Sequence, residues 1–141
     1  MILFLDFDGV LHPIYSGVSS NADFRNLPLL EDFLREHKNI SVVISSSWRE
    51  NMDLDDLQHL FTKDLMDRII GKCPIVPAHD HWRHQEILTW INQNNYAGQW
   101  FALDDAINEF PDDCPQLIAC DKHEGLTEEV LLTLKLALKR Q

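Results

Sequence analysis

The chain has 141 residues, 45% of them hydrophobic, and 12 Lys plus Arg against 23 Asp plus Glu give a net charge of −11. That length and apolar content fit a single soluble globular domain over residues 1–141 and argue against disorder. The longest apolar runs fall far short of the roughly 20 residues a membrane-spanning helix needs, and the acidic field disfavours non-specific binding to a nucleic-acid duplex.

The first element is a strand over residues 2–6, Ile-Leu-Phe-Leu-Asp, followed at once by Phe7, Asp8 and Gly9. It lacks a basic leader and a small-residue cleavage site, so it reads as a strand and not a signal peptide, and a cytoplasmic location is expected. Side chains alternate along a strand, so Asp6 and Asp8 point to one side unless the path bends between them. Two like charges that close need a cation or a shared proton. Gly9 permits a sharp turn just beyond them.

Further strands are expected at 40–44, 68–71, 100–103 and 117–120, each short and almost continuously apolar, as strands covered on both faces should be. Between them Leu30, Phe33, Leu34 and His37 share a helical face after Pro28, and Leu54, Leu57 and Phe61 share a second. Ile87, Leu88 and Ile91 mark a third helix, capped by Asp80 and ended by Asn94-Asn95. A last helix starts near Thr127 and carries Val130, Leu131, Leu134 and Leu138. Strands alternating with helices predict an α/β fold: a three-layer, doubly wound, Rossmann-like parallel sheet of five strands.

Asp6 ends the first strand, Ser45 the second, and Asp104 with Asp105 the fourth, so separate stretches deliver polar groups to one carboxyl edge. Ligands of open parallel sheets bind there. Arg83, in the first turn of the third helix, can lean over the same edge. Carboxylates, a hydroxyl and a guanidinium suit a divalent cation such as Mg²⁺ together with a phosphoryl group.

These residues carry a resemblance. Asp6-Phe7-Asp8-Gly9-Val10 resembles the first motif of the haloacid dehalogenase (HAD) superfamily, Ser45 after Val42-Val43-Ile44 its second, Arg83 its basic third and Asp104-Asp105 its acidic fourth. Ser45-Ser46-Ser47-Trp48-Arg49, Gly71-Lys72-Cys73-Pro74, Arg83-His84-Gln85-Glu86-Ile87 and Gly125-Leu126-Thr127 are similar to the HAD domains of Swiss Army Knife RNA repair-like proteins. The resemblance implies a phosphatase in which Asp6 is the nucleophile, forming an aspartyl-phosphate, and Asp8 the general acid and base. It implies Mg²⁺ held by Asp6, the Asp8 main chain and Asp104 or Asp105, with Ser45 and Arg83 on the phosphate. The third motif is more often lysine, and Lys72 is the alternative to Arg83.

Specificity in this superfamily usually comes from inserted cap domains, and this chain has no room for one. The stretch 12–26 can make a flap at most. An open site admits large phosphorylated substrates, polynucleotide ends among them. Two other functions are compatible with the same residues: a metal-dependent nuclease with no covalent intermediate, and a non-catalytic phosphate-binding domain. A calcium loop fails because its bidentate glutamate position falls on Tyr15. His79, His81 and His84 with Cys73 match no standard zinc spacing. Cys73, Cys114 and Cys120 read as plain buried thiols suited to a reducing compartment. Ser46 or Ser47 is expected to cap the following helix. His12 is expected either to support the first motif or to be structural. The tryptophans are read as packing residues, with Trp82, beside Arg83, the one placed to line a substrate mouth.

Overall fold

In the computed structural model, which describes residues 1–14 and 23–140, five strands form one parallel sheet. They are β1 (Ile2–Leu5), β2 (Ser41–Ile44), β3 (Ile69–Lys72), β4 (Trp100–Asp104) and β5 (Leu117–Ala119), in the order β3-β2-β1-β4-β5. The helices are α1 (Leu27–Glu36), α2 (Leu54–Gln58), α3 (Trp82–Gln93) and α4 (Glu128–Leu138). No described helix is long and apolar enough to cross a membrane.

Strand alternation divides the apolar residues between two layers. Leu3, Leu5, Val42, Ile44, Phe101 and Leu103 pack with Leu30 and Leu34 of α1, Leu57 of α2 and Leu131 and Leu134 of α4. Ile2, Phe4, Val43 and Ala102 pack on the other face with Ile87 and Trp90 of α3 and with Phe110. Strands are added outward from β1 to β3 and then on the opposite side of β1, and the covering helix changes face at that reversal. Right-handed crossovers require that change. The described residues thus form the three-layer, doubly wound fold, without a separate cap element.

The helix ends follow local rules except in α3. Pro28 lies in the first turn of α1, Asp53 and Asp56 form a reciprocal capping box on α2, and Thr127 Oγ1 accepts from the Val130 N–H. Asp80 does not cap α3. His81 holds that position in a left-handed conformation (φ 51°) with no side-chain cap bond. Nor does Leu88 face inward: the buried residues of α3 are Arg83, Glu86, Ile87 and Trp90, while Leu88 is exposed. The helix turns two charged side chains toward the sheet, which an apolar-periodicity reading cannot register. α2 ends at Gln58, so Phe61 enters the core from the turn beyond it. Residues 15–22 of the expected flap lie outside the described residues.

Candidate active site

Register builds the site. Leu5 pairs with Ile44 on one side and Leu103 on the other, so the next residues, Asp6, Ser45 and Asp104, stand side by side at the carboxyl ends of three adjacent strands. The ladder continues to them: Ser45 N–H donates to the Leu5 carbonyl at 2.9 Å and Asp6 N–H to the Leu103 carbonyl at 3.1 Å. All three continue the alternation of Phe4, Val43 and Ala102 and so face the α3 side. Arg83, in the first turn of α3, meets them there, with Nη1 3.7 Å from Asp6 Oδ1.

Carboxylate oxygens of Asp6, Asp104 and Asp105 lie within 4.8 Å of one another, the one group of three or more potential metal ligands among the described residues. Asp6 and Asp104 are buried, and Asp105 is partly exposed. Gly9 (φ 79°) passes so close that a Cβ there would collide with the Asp105 carboxylate. Burial, reinforced by Asp104, holds the Asp6 carboxyl well above the usual carboxylate range, with Arg83 pulling the other way. Burial also raises Asp104, to about 6, although Arg83 and the Ala106 N–H, which donates to Oδ1 at 2.9 Å, oppose the rise. Three crowded oxygen donors whose charges repel suit a hard divalent cation.

Around this cluster, buried atoms are left unpaired. Of five buried side-chain N or O atoms without a hydrogen-bond partner among the described residues, three are Ser45 Oγ, Arg83 Nε and Asp104 Oδ2. The guanidinium of Arg83 donates through Nη1 to the Ser45 carbonyl, which also accepts from Arg49 Nη1 at 2.9 Å. Lys72 lies elsewhere: its Nζ donates to the carbonyls of Arg49 and Met52 at 3.2 and 3.0 Å.

Asp8 is not one of the three clustered carboxylates. The chain turns at Gly9, and the Asp8 carboxylate lies against His12 Nε2 (2.6 Å to Oδ1) and Trp48 Nε1 (3.2 Å to Oδ1, 3.3 Å to Oδ2). His12 is fully buried, with its ring 5.1 Å from that of Phe24, and its Nδ1 has no partner among the described residues. A buried N–H without an acceptor costs about 1–3 kcal/mol, so the neutral ring carries its hydrogen on Nε2 and donates to Asp8. The Gly9 N–H fixes this turn by donating to the His12 carbonyl at 2.9 Å.

Sequence reading finds Arg49 and Glu86 within family-like segments but gives them no role. Arg49 is 4% exposed and forms an ion pair of 2.6 Å with Glu86, which also lies 3.9 Å from Arg83 Nε. Arg49 donates further to the carbonyls of Ser46 (3.0 Å) and Cys73 (2.9 Å). It therefore ties the loops after β2 and β3 to α3, and Glu86 offsets the charge of both arginines. Their place in those segments and the spacing of Arg83 and Glu86, one helical turn apart, were the available signals. Ser46, not Ser47, caps the short turn Ser47–Glu50, its Oγ accepting from the Trp48 N–H at 3.3 Å. Cys73 and Cys120 are free and buried, burial pushing both thiols up to about 12, and Cys114 is free and half-buried. With the histidines they form no metal cluster among the described residues. Trp48 is partly buried against Asp8, and Trp82 is 51% exposed in a pocket shared with Ile75, Val76, Arg83 and Glu86.

An all-parallel doubly wound sheet with an aspartate-tipped first strand, a hydroxyl after the second, a basic residue in the first turn of the helix after the third and paired aspartates at the end of the fourth defines a hydrolase of the HAD superfamily. The chain belongs to the family described as the HAD domain in Swiss Army Knife RNA repair proteins, whose model matches residues 2–131. No curated protein gives a significant match.

Proposed function

We propose that this domain is a Mg²⁺-dependent phosphomonoesterase working through an aspartyl-phosphate on Asp6, with phosphorylated polynucleotide ends the first substrate class to test. The reading is carried by the unpaired buried atoms Ser45 Oγ, Arg83 Nε and Asp104 Oδ2 around the Asp6 carboxylate. Native interiors rarely leave such groups unsatisfied, and a phosphoryl group and a cation are the ligands whose chemistry matches them.

The donor set fits Mg²⁺: Asp6 and Asp104, with Asp105 beside them, offer only hard oxygens, and Asp8 would add its main-chain carbonyl. When bound, the ion lessens repulsion between an anionic nucleophile and an anionic substrate. An Asp6 oxygen attacks phosphorus as the bond to the leaving oxygen breaks, and Asp8 gives that oxygen a proton. Asp8 then takes a proton from the water that attacks phosphorus and releases Asp6. Ser45 and Arg83 hold the non-bridging oxygens throughout.

A nuclease with two cations would use all four aspartates, and the turning of the Asp8 carboxylate toward His12 and Trp48 favours the phosphatase over it. The family's description motivates polynucleotide ends, whereas the net charge of −11 opposes long contacts with a phosphate backbone. A short terminal segment satisfies both. Hydrolysis of a panel of monoesters, including 3′- and 5′-phosphorylated oligonucleotides, tests this with and without Mg²⁺. Turnover should need the ion and vanish in Asp6→Asn, and acid quenching should trap labelled phosphate on Asp6. Cleavage of phosphodiesters with no trapped phosphoenzyme would establish the nuclease instead, and phosphate binding without turnover a non-catalytic domain.

A further inference from the structure

The Asp8 carboxylate is bonded asymmetrically. Oδ1 accepts from His12 Nε2 at 2.6 Å and from Trp48 Nε1 at 3.2 Å, whereas Oδ2 has only a share of the indole N–H at 3.3 Å. The two donors come from different loops: His12 from the turn behind Gly9, and Trp48 from the turn Ser47–Glu50 after β2. Neither can rotate freely, since His12 is fully buried and packed against Phe24 and Trp48, and Trp48 against Phe7 and Phe24. The Asp8 side chain itself is 39% exposed and opens onto a depression lined by Ser47, Trp48, Glu50, Asn51 and Met52.

We propose that His12 and Trp48 are positioning residues that make the oxygens of Asp8 unequal, pinning Oδ1 as an anchor and leaving Oδ2 as the oxygen that carries the proton. The proposal rests on Asp8 being the acid and base of the reaction above. In the first step the proton on Oδ2 passes to the leaving oxygen as its bond to phosphorus breaks. In the second Oδ2 takes a proton from water as the water oxygen bonds to phosphorus and the Asp6 oxygen departs. His12 remains on Oδ1 throughout while the Trp48 indole bridges the two oxygens, so the carboxyl group keeps its orientation between steps.

The test compares His12→Ala, His12→Gln and Trp48→Phe on an alkyl phosphate, whose leaving oxygen needs a proton, and an activated aryl phosphate, whose leaving oxygen does not. In His12→Ala and Trp48→Phe, kcat/KM should fall about tenfold or more on the alkyl ester and several-fold less on the aryl ester. The trapped phosphoenzyme should outlive that of the wild type. His12→Gln, whose amide can donate to Oδ1, should recover part of the loss. Equal losses on both esters would mean a merely structural role and overturn the proposal, as would wild-type kcat/KM in Trp48→Phe. Beryllofluoride binding shows which variants retain a folded site. If His12→Ala does not, Trp48→Phe and His12→Gln carry the test. Wild-type turnover of the alkyl ester in Asp8→Asn would instead remove Asp8 from the chemistry, an outcome distinct from failure of the clamp.

Discussion

One face of the sheet is covered by α1, α2 and α4 through an apolar layer centred on Leu5, Leu30, Leu34 and Leu134, whereas the face under α3 mixes Ile87 and Trp90 with buried Arg83 and Glu86. The first layer needs nothing beyond burial, at roughly 25 cal/mol per Å² of apolar surface removed from water. The second accepts the desolvation of an arginine–glutamate–arginine group, and in return it holds a cation beside Asp6 and ties two loops to one helix. The first face is thus held by apolar packing alone, whereas the second combines packing with a buried ionic group beside Asp6.

Breaking the ionic side should have the largest effect. Glu86→Ala leaves Arg49 and Arg83 buried without the carboxylate between them, and removing one partner of such a group costs about 3–5 kcal/mol. A denaturant titration should show that loss, with the proposed phosphatase activity falling in parallel because Arg83 is no longer steadied. Wild-type stability in Glu86→Ala would mean that the ionic group contributes nothing to the fold. Next comes the apolar side. Leu34→Ala, at a site with no exposure, should cost about 2–5 kcal/mol while the activity of the folded fraction stays unchanged. A specific loss of activity there would contradict the division of labour between the faces.

A third, smaller effect is pH-dependent. Asp104 is raised from 3.8 to about 6 in the folded state, so the folded chain binds the extra proton. Its stabilising contribution is complete below 3.8 and is lost as pH rises through about 6. In EDTA, the thermal midpoint of the wild type should therefore drop across that interval relative to Asp104→Asn. Added Mg²⁺ should stabilise the wild type most at the alkaline end, where the cluster is fully charged. Parallel curves for the two proteins would show that the crowding of these carboxylates does not strain the fold.

The contrast between the faces also explains what could be read from the sequence. The strands were legible because β1, β2 and β4 are almost wholly apolar, and the positions of Asp6, Ser45 and Asp104 followed from their ends. The inward face of α3 was not: Arg83 and Glu86 break the apolar period, and apolar spacing alone points to Leu88 in their place. Strand parity puts Asp6 and Asp8 on one side, but β1 ends at Leu5, and the contacts of the Asp8 carboxylate with His12 and Trp48 have no signature in residue spacing. The role of Arg49 depends on carbonyls of Ser45, Ser46 and Cys73, and main-chain acceptors carry no signature in the sequence.

The smallest effect on stability is expected at Trp82, where the chemical face meets solvent. Its side chain is 51% exposed and Ile75 is 62% exposed, and both line the pocket that includes Arg83. Truncating so exposed a residue should change stability by no more than about 0.5 kcal/mol. An indole plane in the same pocket as the Arg83 guanidinium is placed to stack a terminal base, a contact worth about 1–3 kcal/mol by alanine substitution. Trp82→Ala should therefore raise KM for a phosphorylated oligonucleotide by about tenfold, leave kcat alone, and leave a small aliphatic phosphate unaffected, while Trp82→Phe keeps most of the affinity. Equal KM changes on both substrates would locate the defect in Arg83, its neighbour in sequence. No change on either would leave the charged edge alone responsible for substrate binding, and the apolar rim would then belong with the packing side of the molecule.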